Sequence, residues 1–261
     1  MALKFAANLN FLFTEVASIA ERISLAHKAG FRAVEIPYPR SEEAAVVKAR
    51  EETGIKVALL NIALGTNELQ LGATSVPGAE KHFQTHLTET INLAKQLQCQ
   101  KIHLMSGLVK TSSREEHLAT YVANLKYAAG VLEKENIVGV IEPINQYSVP
   151  SYFMNCYDMA VNVLNDVNSK NLKLLLDIFH RQLIRGNISN GFQELSQYIG
   201  HIQIAQVPHR HEPDQAGELD YGYVFELIAK AGYADWIGCE YKPKTTTNEG
   251  LKWLDKYGQK L

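Results

Sequence analysis

The sequence lacks the features that mark membrane proteins, secreted proteins and nucleic-acid-binding proteins. No apolar stretch approaches the roughly 18 residues that a helix needs to cross a bilayer, and the first residues are typical of a strand rather than a signal peptide. The 26 basic and 28 acidic residues leave a net charge of −2, and no block of lysine and arginine occurs. We therefore expect a cytoplasmic protein that binds neither membranes nor nucleic acid.

Cysteine is also scarce. Cys99, Cys156 and Cys239 are odd in number, far apart in the chain and surrounded by apolar residues. This pattern indicates reduced thiols in a core, and it provides neither a disulfide framework nor a zinc-binding motif.

What the sequence does contain is a regular alternation of strands and helices without a linker. Apolar runs predict eight strands, and a segment with helical spacing of apolar residues follows each of them. Strict alternation predicts a parallel sheet covered by helices, and eight such units in 261 residues match the size of a (β/α)₈ barrel. We therefore predict one α/β domain over residues 1–261, a TIM barrel. A doubly wound open sheet is the alternative, but no Gly-x-Gly-x-x-Gly follows the first strand.

Several local features can be predicted more closely. Ser113 and Glu116 have the spacing of a capping box at the start of a helix. Apolar spacing predicts helices over residues 15–29, ended by Gly30, and over residues 79–98. Two long loops are expected at residues 65–78 and 208–222, and long loops in compact domains are often functional.

Four of the predicted strands carry a carboxylate or an amide at or near their ends. These residues are Glu142, Asp177, Gln203 and Glu240. A buried carboxylate is costly unless a cation or hydrogen bonds meet it, although each acid alone could simply cap a helix or pair with a lysine. The C-terminal ends of barrel strands converge, so we expect the four side chains to surround one mouth of the barrel.

Together these side chains predict a divalent metal site, and their oxygen atoms favour Mg²⁺ or Mn²⁺. Three carboxylates around one such ion leave about one negative charge, so an acidic substrate needs basic groups nearby. Arg210 could bind a carboxylate with its planar guanidinium, and His180 supplies an imidazole. His103 is a candidate substrate contact, although a structural core histidine explains it equally well. We expect histidines on predicted helices, such as His117, to be exposed.

Motifs spread along the whole chain carry a resemblance to a known family. They are Ala6-Ala-Asn-Leu, Gly30-Phe-Arg-Ala-Val-Glu35, Ile141-Glu-Pro-Ile-Asn145, Asp177-Ile-Phe-His180, His201-Ile-Gln-Ile-Ala205, Pro208-His-Arg with Glu212-Pro, Gly217-Glu-Leu-Asp-Tyr221 and Gly238-Cys-Glu-Tyr-Lys-Pro243 with Thr245-Thr-Thr247. With these motifs the sequence resembles the hydroxypyruvate isomerases, which belong to the metal-dependent sugar isomerases and epimerases built on xylose-isomerase-like barrels.

The resemblance implies a role for each candidate residue. The metal ligands would be Glu142, Asp177, Gln203 and Glu240, with both glutamates also acting as acid and base. His180 and Arg210 fall where relatives contact the substrate. Many epimerase relatives carry histidine at the position of Gln203, so the glutamine favours the hydroxypyruvate branch. The loop at residues 65–72 departs from the family, because it lacks the acidic-Arg-Gly pattern of bacterial members.

We therefore predict an isomerase of glyoxylate metabolism that interconverts hydroxypyruvate and 2-hydroxy-3-oxopropanoate (tartronate semialdehyde) through an enediolate. A related sugar or sugar-acid isomerase or 3-epimerase would use the same site. A barrel endonuclease would need several zinc ions held by many strand-end histidines and a basic face, and the sequence has neither. A barrel that binds a metabolite without turnover is a third alternative. The partner is a small molecule, and a homo-oligomer is left open.

Overall fold

The computed structural model describes residues 2–66 and 69–261, and its strands form a closed parallel barrel. The strands within these residues are β1 (Lys4–Asn8), β2 (Ala33–Ile36), β3 (Lys56–Asn61), β4 (Lys101–His103), β5 (Val138–Ile141), β6 (Leu172–Asp177), β7 (Ile199–Ile204) and β8 (Trp236–Cys239). They are hydrogen-bonded in sequence order from β1 to β8, and β8 pairs in parallel with β1. This arrangement confirms the predicted (β/α)₈ barrel.

Helices alternate with the strands, as the apolar spacing predicted. They are α1 (Ile19–Lys28), α2 (Glu43–Thr53), α3 (Glu80–Leu97), α4 (Arg114–Lys134), α5 (Tyr157–Val167), α6 (Ile178–Ile184), α7 (Ile188–Leu195), α8 (Tyr221–Lys230), α9 (Thr247–Gly250) and α10 (Trp253–Lys256), and a 3₁₀ turn at Arg40–Glu42 precedes α2. The capping box of α4 is confirmed, because Ser113 Oγ accepts from Glu116 N at 3.2 Å and Glu116 Oε2 accepts from Ser113 N at 2.8 Å. Across residues 2–66 and 69–261, no helix combines the length and the apolar character that spanning a membrane requires.

Some boundaries differ from the prediction. Helix α1 begins at Ile19 rather than near residue 15, because Ser18 is its N-cap and its hydroxyl accepts from the backbone N–H of Glu21 at 3.4 Å. The carboxylate of Glu15 lies before the helix and accepts from the backbone N–H of Thr247 at 2.7 Å. The helix expected after strand β6 lay near residues 192–199, but helix α6 already starts directly after Asp177, and α7 follows at Ile188–Leu195. The predicted loop at residues 65–78 includes Asn67 and Glu68, which lie outside the described residues.

One compact unit comprises residues 2–58, Asp177–Gln197 and His201–Leu261. Its apolar part is an aromatic cluster in which Phe5 lies 5.6 Å from Phe225 and 5.1 Å from Trp253 between ring centroids. The indole of Trp253 also donates a hydrogen bond to the hydroxyl of Tyr241 at 2.9 Å. We call this unit the first unit and these residues the aromatic cluster.

The second unit comprises the described residues from Leu59 to Leu176 together with Tyr198–Gly200. Leu59, Val140 and Leu175 form a buried cluster in it. The prediction that His117 is exposed was wrong. Its ring is buried on the inner face of α4, stacked on Phe153 with centroids 5.6 Å apart, and Nδ1 lies 3.3 Å from Ser75 Oγ.

The three cysteines are thiols and form no disulfide with one another. Cys99 and Cys239 are buried, and Cys156 is partly buried.

Candidate active site

Polar side chains of the first unit meet at the ends of its strands. Successive residues of a strand point to opposite faces, so residues two apart share one face. Strand β7 thus presents His201 and Gln203 on one face, and β8 with the residue after it presents Gly238 and Glu240. The contacts described below show that these faces, with those of β1 and β2, point toward one another.

Asp177 ends strand β6 and also caps the helix that follows. Its Oδ1 accepts a hydrogen bond from the backbone N–H of Phe179 at 2.8 Å, which makes it the N-cap of α6. Its Oδ2 lies 3.5 Å from Nε2 of His180. The carboxylate therefore combines the two explanations that the sequence left open, a helix cap and a member of a polar site.

Three side chains of the first unit present possible ligand atoms to a common point. Asp177, His180 and Glu240 each offer one such atom, and these atoms lie within 4.8 Å of one another. Asp177 and His180 are buried, whereas the side chain of Glu240 keeps 13% of its surface exposed. His180, which the sequence assigned to the substrate, is thus close enough to act as a metal ligand.

The guanidinium of Arg210 lies against two of these carboxylates. Its Nη2 donates to Asp177 Oδ2 at 3.2 Å and makes a short contact with Glu240 Oε2, and its Nε donates to the backbone carbonyl of Glu240 at 3.2 Å. The rings of Phe11 and Phe179 each lie 4.7 Å from the guanidinium carbon. Two carboxylates and two aromatic rings therefore hold one cationic group in place.

Gln203 joins the site from strand β7 with a defined amide orientation. Its Nε2 donates to Glu35 Oε2 at 2.8 Å, and no hydrogen-bond partner among the described residues reaches its buried Oε1. Asn8 donates to Glu35 Oε2 at 2.8 Å and to Glu240 Oε1 at 3.2 Å. His201 Nε2 makes a short contact with the other oxygen of Glu35.

Electrostatics favour the neutral form of Glu240. Burial raises the pKa of its carboxyl to about 8, and the negative charges of Asp177 and Glu35 add to the increase. The guanidinium of Arg210 opposes it. A carboxylate in such surroundings is stabilised by any additional positive charge that binds beside it.

The two candidate residues of the second unit lie next to each other. Glu142 follows strand β5 directly and is buried, and His103 is the last residue of strand β4. His103 Nε2 lies 3.5 Å from Glu142 Oε2. The predicted substrate contact and the predicted acid or base are therefore neighbours, although their roles stay predictions.

Two observations indicate that the residues of the first unit can hold a divalent cation. The amide oxygen of Gln203 is a buried acceptor that no donor of the described residues meets. The carboxylates of Asp177 and Glu240 share one positively charged group, the guanidinium of Arg210. Carboxylate and amide oxygens are the ligands that Mg²⁺ and Mn²⁺ prefer. The buried cluster can therefore bind a metal ion.

The sequence predicted no role for three residues of this site, namely Asn8, Glu35 and His201, although the motifs that carry the family resemblance contain all three. Glu35 carried the same signal as Glu142, because it is a carboxylate within the apolar strand Ala33-Val-Glu-Ile36. Its role could not be predicted because its partners lie on other strands, which only the fold brings together.

Comparison with known proteins agrees with this fold. Residues 23–257 match the family described as "Xylose isomerase-like TIM barrel". A Drosophila melanogaster protein named "Putative hydroxypyruvate isomerase" is 57% identical over all of both chains. A "2-oxo-tetronate isomerase" of Cupriavidus necator is 38% identical over 97% of this chain and 98% of that protein. The crystal structure of "AP endonuclease, family 2 from Brucella melitensis" has a TM-score of 0.92 and 34% identity, covering 98% of this chain and 99% of that one.

The match over most of the chain places the protein among the xylose isomerase-like TIM barrels. Within them the chain belongs to the hydroxypyruvate isomerase family, as the motifs in the sequence indicated. The protein is accordingly an enzyme of the isomerase class.

Proposed function

We propose that the protein interconverts hydroxypyruvate and 2-hydroxy-3-oxopropanoate with the help of one divalent cation, Mg²⁺ or Mn²⁺. The observation that carries the proposal is the group of Asp177, His180 and Glu240, whose possible ligand atoms lie within 4.8 Å of one another, with Arg210 beside it. The buried amide oxygen of Gln203, which no donor of the described residues meets, supports Gln203 as a further ligand. The relative that is 57% identical over its full length bears the name of this activity.

Glu142 is proposed as the fourth ligand, together with Asp177, Gln203 and Glu240. The support for this assignment is the family resemblance, in which the motif Ile141-Glu-Pro-Ile-Asn145 implies a metal ligand at Glu142.

A bound divalent cation stabilises the negative charge that develops on the carbonyl and hydroxyl oxygens of such a substrate. The remaining chemistry is proton transfer by the protein. One of Glu142 and Glu240 removes a proton from C3 of hydroxypyruvate, which leaves an enediolate, and the other delivers a proton to C2. The hydroxyl proton on O3 must also reach O2, and the imidazole of His180 is the proposed carrier. Each proton transfer by a positioned acid or base typically increases the rate by roughly 10²–10⁴-fold.

Arg210 is proposed to bind the carboxylate of the substrate. It is a permanent positive charge beside Asp177 and Glu240, and the rings of Phe11 and Phe179 each lie 4.7 Å from its guanidinium carbon. His103, next to Glu142, is proposed as a second substrate contact. Cys99, Cys156 and Cys239 are thiols, which is consistent with a reducing compartment. We therefore propose that the protein isomerises hydroxypyruvate in the cytoplasm, as part of glyoxylate metabolism.

A second candidate is the isomerisation of a longer sugar acid. The Cupriavidus relative, named for 2-oxo-tetronate, is 38% identical over nearly the whole chain. Both activities require the same proton transfer between adjacent carbons and the same binding of a carboxylate. The two substrates differ in length, so 2-oxo-tetronate needs more space beyond the reacting carbons. Kinetic measurements with both substrates decide between the two activities.

The proposal is tested by assaying the purified protein against hydroxypyruvate, 2-oxo-tetronate and a neutral ketose, each with Mn²⁺ or Mg²⁺. We expect the highest kcat/KM for hydroxypyruvate. A higher kcat/KM for 2-oxo-tetronate would show that this acid is the substrate, and the proposed mechanism would still apply. Because the Brucella structure is described as an endonuclease, a duplex with an abasic site is included, and cleavage of this duplex without isomerase activity would overturn the proposal.

A further inference from the structure

Glu35 is a buried carboxylate that the proposed reaction does not use. Only 1% of its surface is exposed, and three polar side chains converge on it from other strands. Asn8 and Gln203 each donate to Oε2 at 2.8 Å, and His201 contacts Oε1. A carboxylate buried at this depth requires compensation, so a contribution to the site would explain why it is there.

The contact with Gln203 determines which end of that amide faces the site. The oxygen and the nitrogen of an amide are almost equal in size, so packing alone does not distinguish the two orientations. An ionised carboxylate only accepts hydrogen bonds, and therefore Glu35 attracts the NH₂ end. The oxygen must then point away from Glu35, and it is this Oε1 that has no partner among the described residues.

We propose that Glu35 is a positioning residue that holds the amide of Gln203 with its oxygen directed at the divalent cation. This inference rests on the proposed function, because it assumes that Gln203 is a ligand. When glutamine replaces Glu35, the group at position 35 no longer only accepts, because its own NH₂ end can also face Gln203. The amide of Gln203 is then not held in one orientation and can rotate by 180° to present its NH₂ group, which cannot bind a cation.

The surroundings of Glu35 are built to accommodate it. A Cβ atom at position 238 would lie 2.0 Å from Glu35 Oε1, so only glycine at that position leaves room for the carboxylate. Asn8 then extends the network, because it donates to Glu35 and to Oε1 of Glu240. Glu35 thus supports Gln203 directly and the proposed acid or base Glu240 through Asn8.

A purely structural role for Glu35, as a counter-charge for His201, would predict a loss of stability and no specific link to Gln203. The two roles are separated by combining substitutions at positions 35 and 203. In Gln203→Glu the ligand is a carboxylate, both ends of which accept, so no orientation has to be fixed. A positioning role for Glu35 disappears in this background, whereas a structural role persists.

The experiment measures Mn²⁺ dissociation constants by electron paramagnetic resonance, together with melting temperatures, for the full-length protein. The variants are Glu35→Gln, Gln203→Glu and the double variant. Glu212→Gln is the matched control, because Glu212 is also buried in the first unit, where it accepts hydrogen bonds from the backbone N–H of Lys244.

We expect Glu35→Gln to weaken Mn²⁺ binding about tenfold or more, since residues that orient metal ligands are typically worth roughly 10–100-fold in affinity. Glu212→Gln should lower the melting temperature without this loss. In the Gln203→Glu background, Glu35→Gln should not weaken binding, because the new amide at position 35 can donate to the new carboxylate. If Glu35→Gln does not fold, the double variant must still bind Mn²⁺ at least as tightly as Gln203→Glu.

The positioning role is overturned if Glu35→Gln binds Mn²⁺ like the wild type, or if it causes the same loss in both backgrounds. A wild-type protein that binds Mn²⁺ and fails to isomerise hydroxypyruvate refutes the proposed function alone, provided that the expected coupling between positions 35 and 203 is seen. A wild-type protein that does not bind Mn²⁺ overturns both proposals.

Discussion

The two ends of strand β1 lie in regions of opposite character. Near its start, Phe5 belongs to the aromatic cluster with Phe225 and Trp253. At its end, Asn8 belongs to the polar network around Glu35. Only Ala6 and Ala7 thus separate a region held together by apolar packing from one that contains several buried charges.

This difference indicates that the aromatic cluster mainly contributes to stability and that the polar network mainly contributes to function. Burying large aromatic side chains stabilises the fold, whereas a buried charge is costly unless its partners offset the lost hydration. The polar network is therefore the less stable region, and a bound cation would relieve its excess of carboxylates. We expect substitutions in the aromatic cluster to change stability and substitutions in the polar network to change activity.

The largest effect is expected for Phe225→Ala in the aromatic cluster. Loss of a buried phenylalanine should lower the free energy of unfolding by about 3–5 kcal/mol, and the activity per folded molecule should not change. Chemical denaturation measures the first quantity, and a rate normalised to the folded fraction measures the second. Tyr223→Ala, two residues earlier on α8 and 49% exposed, is the control and should change stability by about 0.5 kcal/mol or less. A large loss of activity in folded Phe225→Ala would contradict the claim that the aromatic cluster contributes to stability alone.

The reverse result is expected for Glu240→Gln. Turnover should fall by at least about 100-fold, the typical contribution of a general acid or base, and Glu142→Gln should behave in the same way. The melting temperature of Glu240→Gln should stay equal or increase, because burial raises the pKa of this carboxyl to about 8 and thus disfavours its charged form. Steady-state kinetics and calorimetry test both statements. A Glu240→Gln enzyme with nearly wild-type turnover would remove Glu240 from the mechanism.

Arg210→Ala should have a smaller effect that is specific to acidic substrates. Hydrogen bonds to charged groups contribute roughly 1.5–3 kcal/mol, so KM for hydroxypyruvate should increase by more than about tenfold. Arg210→Lys should recover only part of the loss, because a lysine lacks the planar pair of donors. Kinetics with a neutral ketose such as fructose provide the comparison. Unchanged KM for hydroxypyruvate in Arg210→Ala would show that the arginine does not bind the substrate.

The smallest effect concerns His117, a buried titratable residue in the second unit. Burial lowers the pKa of its imidazole, and the positive charge of Arg114 adds to this effect, although Ser75 and Glu116 oppose it. The unfolded chain therefore binds a proton more readily than the folded protein. Stability should be independent of this group above its ordinary pKa, should decline as the pH falls below it, and should level off below the folded pKa. Denaturation at a series of pH values should show a decline that is reduced in His117→Gln. Identical pH profiles of stability for the wild type and His117→Gln would contradict the conclusion that burial lowers the pKa of His117.

Most of the fold could be predicted because each strand and helix carries its own periodicity, and the ligand candidates could be predicted because polar residues interrupt buried strands. Helix α6 was missed because Ile178 and Phe179 extend the apolar run of β6. His117 and Glu35 could not be assigned because their surroundings come from residues distant in sequence, such as Ser75 and Gln203. Local patterns identify elements, but contacts between elements decide the environment of each side chain.

The most direct test of the account is the dependence of isomerase activity on a bound metal. The purified protein would be analysed for its metal content and assayed with hydroxypyruvate before chelation, after chelation and after addition of Mg²⁺ or Mn²⁺. We expect a single divalent ion per chain, loss of activity on chelation and its recovery with either ion. A protein that is free of metal and fully active would contradict the proposal that Glu142, Asp177, Gln203 and Glu240 bind a catalytic cation.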